Sequence, residues 1–513
     1  MANFSRADDL PGEPTSPWLA TTLDDDSGDP DATLEGTESV DVAVIGAGIA
    51  GLSTAIELRE RDLTVAVLER DRIATGVTGK TTAKLTSQHG LIYDHLRREF
   101  GRQAASQYAT AQEEAIDTVE ERIDELEIDC GFERVSSYLY SNTPDEIERE
   151  TDAAQAAGID ANYVTSVPPF ERAQAAVRFD EQAWFHPRRY LLGIAAELRD
   201  DDGAAVYEHT RVTDVEPGSP CRIETSEATV RADRVVLATG FPILDRAGYF
   251  ARMHPKRSYV LGLRLEGRPP QGMYYRSGDS YRSVRTHRDE EGELLLVGGE
   301  NHKTGQGGST IDRYRRLLRW ARERFPVESV AYRWSTQDYV SADKVPFVGR
   351  VGARAENVYV ATGFRGWGMT NGVAAGRLLA GLLANERPAG RDLFDPLRFT
   401  PKTSLASTVT ENADAISQFA TDWARTLLTP DLTSLEPGEG TVLRKGSRPI
   451  ACARDADGNL HATSAVCTHM ACIVEWNDAE RSWDCPCHGS RFSPEGDVLE
   501  GPATEELPTR RIE

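Results

Sequence analysis

Two short runs near the start of this chain are apolar at almost every position: VDVAVIG from Val40, and LTVAVLER ending on Glu69 and Arg70. A strand covered on both faces reads this way, because neither side meets water. Between them IAGLSTAIELRER, Ile49 to Arg61, changes to helical spacing, which predicts one strand-helix-strand unit. Residues 102 to 127 predict a polar helix with a thin apolar stripe. VYEHTRVTDVEP, VRADRVVLATG, SYVLGLRLEG and ELLLVGG predict further strands. TIDRYRRLLRWARERF has helical spacing with Asp312 near its start, and NVYVATGFRGWGMTNGVAAGRLLAGLLA passes from strand to helix.

The flanks read differently. Residues 1–38 are rich in Asp, Gly, Pro, Ser and Thr and predict a disordered, solvated acidic arm. The stretch ERPAGRDLFDPLRFTPKTS opens a linker over 386–430 that includes a helix near Asn412 to Leu427. From 431 to 513 short strands are separated by PGEG, KGSRP, DADGN and SPEGD turns, the pattern of a small all-β module. The body between, 39–385, carries the strand-helix-strand unit. A chain of 513 residues exceeds one compact core, in keeping with this division.

Charge narrows the partners. With 82 acidic against 58 basic residues the net charge is −24, which disfavours nucleic acid and anionic membrane surfaces. The basic residues are nearly all Arg, with Lys80, Lys84 and Lys256 among the few lysines, a balance suited to a salt-rich cytoplasm. Full folding in dilute buffer, with inhibition by molar salt, would contradict that expectation. No apolar run is long enough for a membrane span, and the start lacks a secretory pattern, so a cytoplasmic location is expected.

Gly46-Ala-Gly48-Ile-Ala-Gly51 falls at the junction of the first strand and its helix. Glycines there allow a tight turn, a close approach of backbone to a pyrophosphate and tight helix packing, while free amides at the helix start hold negative charge. Glu69 ends the second strand 23 residues after Gly46, where a carboxylate can accept from a ribose hydroxyl. The motif fits FAD or NAD equally.

The C-terminal module holds Cys467-X-His469 and Cys485-X-X-His488, with 15 residues between His469 and Cys485. Two thiolates and two imidazoles on two loops suit a Rieske [2Fe-2S] centre, one iron held by Cys and the other by His. Zinc competes for the same donors. Its loops favour a Cys pair or a His pair on one segment, whereas here each segment offers one of each.

The order of VAVIGAGIAGLSTAIELRERDLTVAVLER, TGVTGKTTAKLTSQHG, VVLATG and NVYVATGFRGWGMTNG resembles the D-amino-acid-oxidase-like superfamily of FAD-dependent oxidoreductases. With the C-terminal motif, the chain resembles members that carry a C-terminal Rieske domain. The resemblance implies an α/β (α+β) FAD-binding Rossmann-like domain, an interleaved mixed-sheet substrate domain and an all-β Rieske domain. It places Ile49 and Ala50 at the pyrophosphate, Glu69 and Arg70 at the adenosine ribose, and Val212 near the adenine. Ala238, Thr239 and Gly240 then run along the dinucleotide, Thr78, Thr81 and Thr82 lie beside the flavin, and Trp367, Gly368, Met369 and Thr370 meet its ribityl chain and pyrimidine edge. FAD is expected to be held non-covalently.

In the cluster domain the resemblance implies a disulfide between Cys472 and Cys487 and a hydrogen bond from Ser490 to a bridging sulfide. Phe492 stands where many relatives have Tyr, so one donor is missing, and a potential low in the range of roughly −150 to +300 mV is expected. Ala471 replaces a customary Gly, and Gly501-Pro-Ala503 matches the proline loop over the cluster. Amino-acid-oxidising relatives place an Arg just before the stretch DKVPFVG. This chain has Ser335, Thr336 and Gln337 there, which leaves Arg257 or Arg276 as carboxylate clamps and Tyr259 and Gln337 as pocket candidates. The expected activity is oxidation of a small amine or amino-acid-like substrate, with electrons relayed through the cluster to a protein or quinone acceptor. Reductive flow inward from the cluster, and a pure electron-transfer or redox-sensing role, are the alternatives.

Overall fold

The computed structural model describes residues 6–23, 33–244, 248–278, 281–352, 355–398, 400, 435–445 and 448–511. The apolar runs form the centre of a mainly parallel sheet. Gly36–Ile45 lies between Val65–Leu68 and Ala228–Leu237; Ala204–Tyr207 and Val358–Thr362 extend the parallel set, and Phe347–Arg350 adds an antiparallel edge. Alternation along the first strand explains its unbroken apolar run: Val42 and Val44 join one buried cluster, Ala43 and Ile45 another on the opposite face. Helices Ile49–Arg59 and Gly368–Leu383 cross within the first cluster. Their contact needs small residues, since a Cβ on Gly372 would meet Ile49 at 2.7 Å and one on Gly376 the Ser53 backbone at 2.7 Å.

Segments between these strands build a second, mixed nine-stranded sheet. Val327–Ser341 is at one edge, followed by Met253–Leu265, Gly292–Lys303 and Arg282–Asp289; Met273–Arg276 then pairs in parallel with Glu133–Ser141. The C-terminal module has two small antiparallel sheets, Gly440–Lys445 to Leu460–Ser464 and Glu475–Asn477 to Val498–Glu500. Trp483, Phe492, Val474 and Leu507 form its core around the cysteines. The α/β, mixed-sheet and all-β parts expected from the sequence are all present.

The start of the chain departs from the solvated arm expected over 1–38. Residues 6–23 are packed on the body: Trp18 is fully buried, with its indole N–H on the Thr81 carbonyl at 2.7 Å, and the Ser16 hydroxyl donates to the Gly79 carbonyl at 2.5 Å. Burying about 200 Å² of indole at about 25 cal/mol per Å² contributes roughly 5 kcal/mol before ordering costs, which one aromatic supplies despite the polar composition. The first strand likewise begins earlier than Val40, at Gly36. The helix expected near Asn412 to Leu427 lies outside the described residues. Among the described residues no helix is long and apolar enough to cross a membrane.

Candidate functional site

The glycine turn is shaped by contacts that exclude side chains. Gly46 has φ +104°, and a Cβ there would stand 2.7 Å from the Ala238 carbonyl oxygen. A Cβ on Gly51 would fall 1.8 Å from the Gly46 carbonyl oxygen, so the helix seats on the turn only with glycine. Replacing Gly51 with Ala therefore forces main chain apart, and loss of the bound dinucleotide is expected, read as flavin absorbance per protein after desalting. Thr78 accepts from the Ile49 N–H at 3.2 Å. Glu69 accepts from the Ala47 N–H at 2.8 Å and the Asp71 N–H at 3.0 Å. Burial raises its pKa while those amides oppose the rise, and the carboxylate braces the turn besides facing the cavity.

One cavity of about 1060 Å³ runs past this turn, large even for a small-molecule site. The predicted dinucleotide residues line it, except Gly51, which lies beneath the turn, and Thr370. Thr370 is one layer behind, its hydroxyl bonded to the Thr86 carbonyl and to His89 Nε2, both at 2.9 Å. Trp367 stacks on His89 at 5.0 Å between centroids. His89 also meets the Tyr108 hydroxyl through Nδ1 at 2.6 Å, and burial pushes its pKa down to about 3, so it stays neutral. The cradle of side-chain-free backbone at Gly46 and Gly51, with Glu69 on the wall, fits FAD.

The cavity wall also holds residues the sequence reading passed over. The chain has seven lysines, and Lys80, Lys256, Lys303 and Lys344 line this cavity. Lys84 sits just behind, donating to Thr82 and Ser283, both on the wall; burial, with Arg285 nearby, pushes it down to about 7. With so few lysines in the chain, their positions were the available signal. Arg276 lines the cavity, as does Thr336, whose buried hydroxyl has no protein partner. Tyr259 does not: strand alternation turns it to the opposite face, where its hydroxyl meets His302 at 3.0 Å. Arg257 is no substrate clamp either, being fully buried against the C-terminal module.

In that module the predicted ligands converge. The His469 and His488 rings are 5.0 Å apart and nearly perpendicular. Cys467 and Cys485 are buried with thiols within hydrogen-bonding reach of each other. His488 Nδ1 is buried without any hydrogen-bond partner, an orphan that an iron ligand bond would satisfy. Cys472 and Cys487 form a disulfide, so although their sulfurs lie near that of Cys485 they are not thiolate donors. The donor set left, two thiolates and two imidazoles, fits a [2Fe-2S] cluster. Ser490 is fully buried, its hydroxyl accepts from the Ala503 N–H at 3.0 Å and its carbonyl from the Cys485 N–H at 2.8 Å. Ala471 takes the left-handed φ of +58°, the conformation for which the customary Gly is suited, at a cost of about 1 kcal/mol. Phe492 packs in the core beside the cysteines. Phe492→Tyr is expected to raise the cluster potential by adding a donor to a ligand sulfur, which voltammetry of the variant measures.

The two sites share walls. Gly501, Pro502, Ala503 and Thr504 line the same cavity as the glycine turn, and Arg211, next to Val212, donates to the Thr504 carbonyl at 2.9 Å. Phe241, next to Gly240, places its ring 6.1 Å from that of His469. A buried ionic network ties the junction: Glu480 pairs with Arg257 and Arg491, and Arg491 also meets Asp484 at 2.9 Å and Glu500 at 3.2 Å. Burial opposes ionisation of Glu480, but the two guanidiniums outweigh it and hold the carboxyl well below its usual range.

Comparison with known proteins agrees with this geometry. Residues 41–382 match the model of the FAD dependent oxidoreductase (DAO) family, and 426–511 match the Rieske [2Fe-2S] domain. A Rieske 2Fe-2S iron-sulfur protein of Bacillus subtilis (strain 168), YhfW, is 37% identical over 483 residues, 93% of this chain and 94% of that protein. The gamma-glutamylputrescine oxidoreductase of Escherichia coli (strain K12) is 25% identical over 370 residues, 69% of this chain and 86% of its own length. The crystal structure of glycine oxidase from Geobacillus kaustophilus superposes with a TM-score of 0.59 at 19% identity, covering 71% of this chain and 99% of that one, a likeness of fold.

Proposed function

Because the chain belongs to the FAD dependent oxidoreductase (DAO) family and ends in a Rieske [2Fe-2S] domain, we propose that it oxidises a small amine or amino-acid-like substrate and delivers the electrons through its own cluster to an external protein or quinone. The observation that carries this reading is the shared wall: Gly501 to Thr504 of the cluster domain line the cavity that holds the glycine turn. Bound FAD supplies two-electron oxidation of the substrate, the cluster accepts electrons singly, and two passes to the acceptor balance one turnover.

The protein's part is binding and orientation. The N–H groups at the start of the helix Ile49–Arg59 and the side-chain-free turn hold the dinucleotide phosphates. Trp367, held by His89, closes the flavin end. Lys256 and Arg276 face the cavity half-buried, Lys344 stands exposed on its wall, and none of the three makes an ion pair among the described residues. A partly desolvated cation is costly to leave unpaired, so Lys256 and Arg276 favour a substrate that brings a carboxylate. The relative named for gamma-glutamylputrescine supports amine chemistry.

Anaerobic addition of amino acids, N-substituted amino acids and simple polyamines to the FAD-loaded protein tests the reading. Bleaching of the flavin by carboxylate-bearing amines is expected. Bleaching by polyamines alone, or by no member of the panel, counts against it.

A further inference from the structure

The edge strand Val327–Ser341 presents Ser335, Gln337 and Tyr339 at alternate positions, hence on one face. All three bond the cluster domain. Ser335 donates to Glu480, Gln337 Nε2 donates to the Gly489 carbonyl at 2.8 Å, and the Tyr339 hydroxyl donates to the Gly501 carbonyl at 2.9 Å. The amide of Gln337 is fixed in that sense, because its Oε1 accepts from the Thr304 hydroxyl at 2.7 Å.

The carbonyls they grip belong to the loops that carry the cluster. Gly489 lies between His488 and Ser490; it has φ +79°, and a Cβ there would stand 2.6 Å from Pro255 and 2.9 Å from Gln337 Nε2. Only glycine fits this seat. Gly501 opens the proline loop, whose Ala503 N–H donates to the Ser490 oxygen at 3.0 Å. With that amide engaged on the oxygen, the Ser490 proton is free to be donated to the cluster side, where the Ser490 carbonyl already accepts from the Cys485 N–H at 2.8 Å.

We propose that Tyr339 and Gln337 are positioning residues for the iron-sulfur cluster: acting from the oxidoreductase body, they hold the Gly489 and Gly501 carbonyls and thereby fix the Ser490 hydroxyl at the cluster, so that the cluster potential is set partly from the flavin side of the junction. The inference rests on the presence of the cluster in the reading above, and is independent of substrate and of the direction of electron flow. A hydrogen bond to a cluster sulfur favours the reduced cluster, so loosening it lowers the potential. Tyr339 is suited to the task, since burial keeps its phenol protonated and a donor.

The test uses the full-length protein with iron and sulfide assayed first, and measures the cluster midpoint potential by film voltammetry and the EPR spectrum of the reduced cluster. Ser490→Ala should lower the potential. Tyr339→Phe, which removes only the donor, should lower it in the same direction by less and alter the EPR line shape, and the double variant should fall no further than Ser490→Ala alone. A wild-type potential and spectrum in cluster-loaded Tyr339→Phe, or a fully additive fall in the double variant, overturns the proposal. Should Tyr339→Phe fail to load its cluster, Gln337→Met, close in volume and without a donor, decides by the same reading. Inactivity toward every amine would count against the proposed function and leave these potentials unaffected.

Discussion

Cys485→Ser is expected to remove the cluster outright, leaving no stoichiometric iron or acid-labile sulfide and no reduced-cluster EPR signal. Cys485 is buried beside Cys467, opposite two histidines, and a serine hydroxyl there is neither a thiolate nor easily ionised. The cavity around the glycine turn does not include this side chain, so the purified variant should retain its flavin. Turnover should then persist with a small artificial acceptor and be lost with the natural one. Equal turnover with both would mean that electrons leave without using the cluster, and the C-terminal domain would have another role.

The second large effect is expected at Glu480. Its carboxylate lies between Arg257 and Arg491, themselves buried, and removing a partner from such a pair leaves uncompensated charge. Glu480→Gln should cost about 3–5 kcal/mol in denaturant unfolding. The pH dependence has a definite sign. Because the folded-state pKa is depressed below the ordinary 4.5, the contribution of this group is present above that value and lost as pH falls through it toward the folded value. The wild type should therefore weaken more steeply on acidification than Glu480→Gln. Parallel stability curves would show that the network contributes little at the junction.

Local signals in the sequence revealed the parts whose chemistry dictates spacing. Gly46 to Gly51, Glu69 and the Cys-His pairs must lie close along the chain to act together, and their surroundings matched the expected strand, helix and loops. Contacts between distant segments were another matter. The N-terminal residues read as solvated because their anchors are remote: the Arg333 guanidinium bonds the Gly12 carbonyl, and Trp18 reaches Thr81. WSTQDYVS stood out only for the Arg it lacks; it lies in the strand Val327–Ser341, and nothing local said that one face of that strand meets another domain. Gln337, expected in the pocket, does line the cavity but also grips the cluster domain, whereas Arg257, expected as a possible clamp, serves the cluster domain instead. The lysines were seen as a composition, and only the fold shows that most of them border one cavity.

The central claim is that electrons pass between the flavin and the cluster within one chain, across the junction of Phe241, Tyr339 and the proline loop. It is tested most directly by adding one equivalent of a flavin-bleaching amine without oxygen or acceptor and recording flavin absorbance and cluster EPR on the same sample. The account predicts a reduced-cluster signal that follows the bleaching and accounts for one of the two electrons delivered. A flavin that stays fully reduced beside a cluster that stays oxidised, although dithionite can reduce it, would contradict the account.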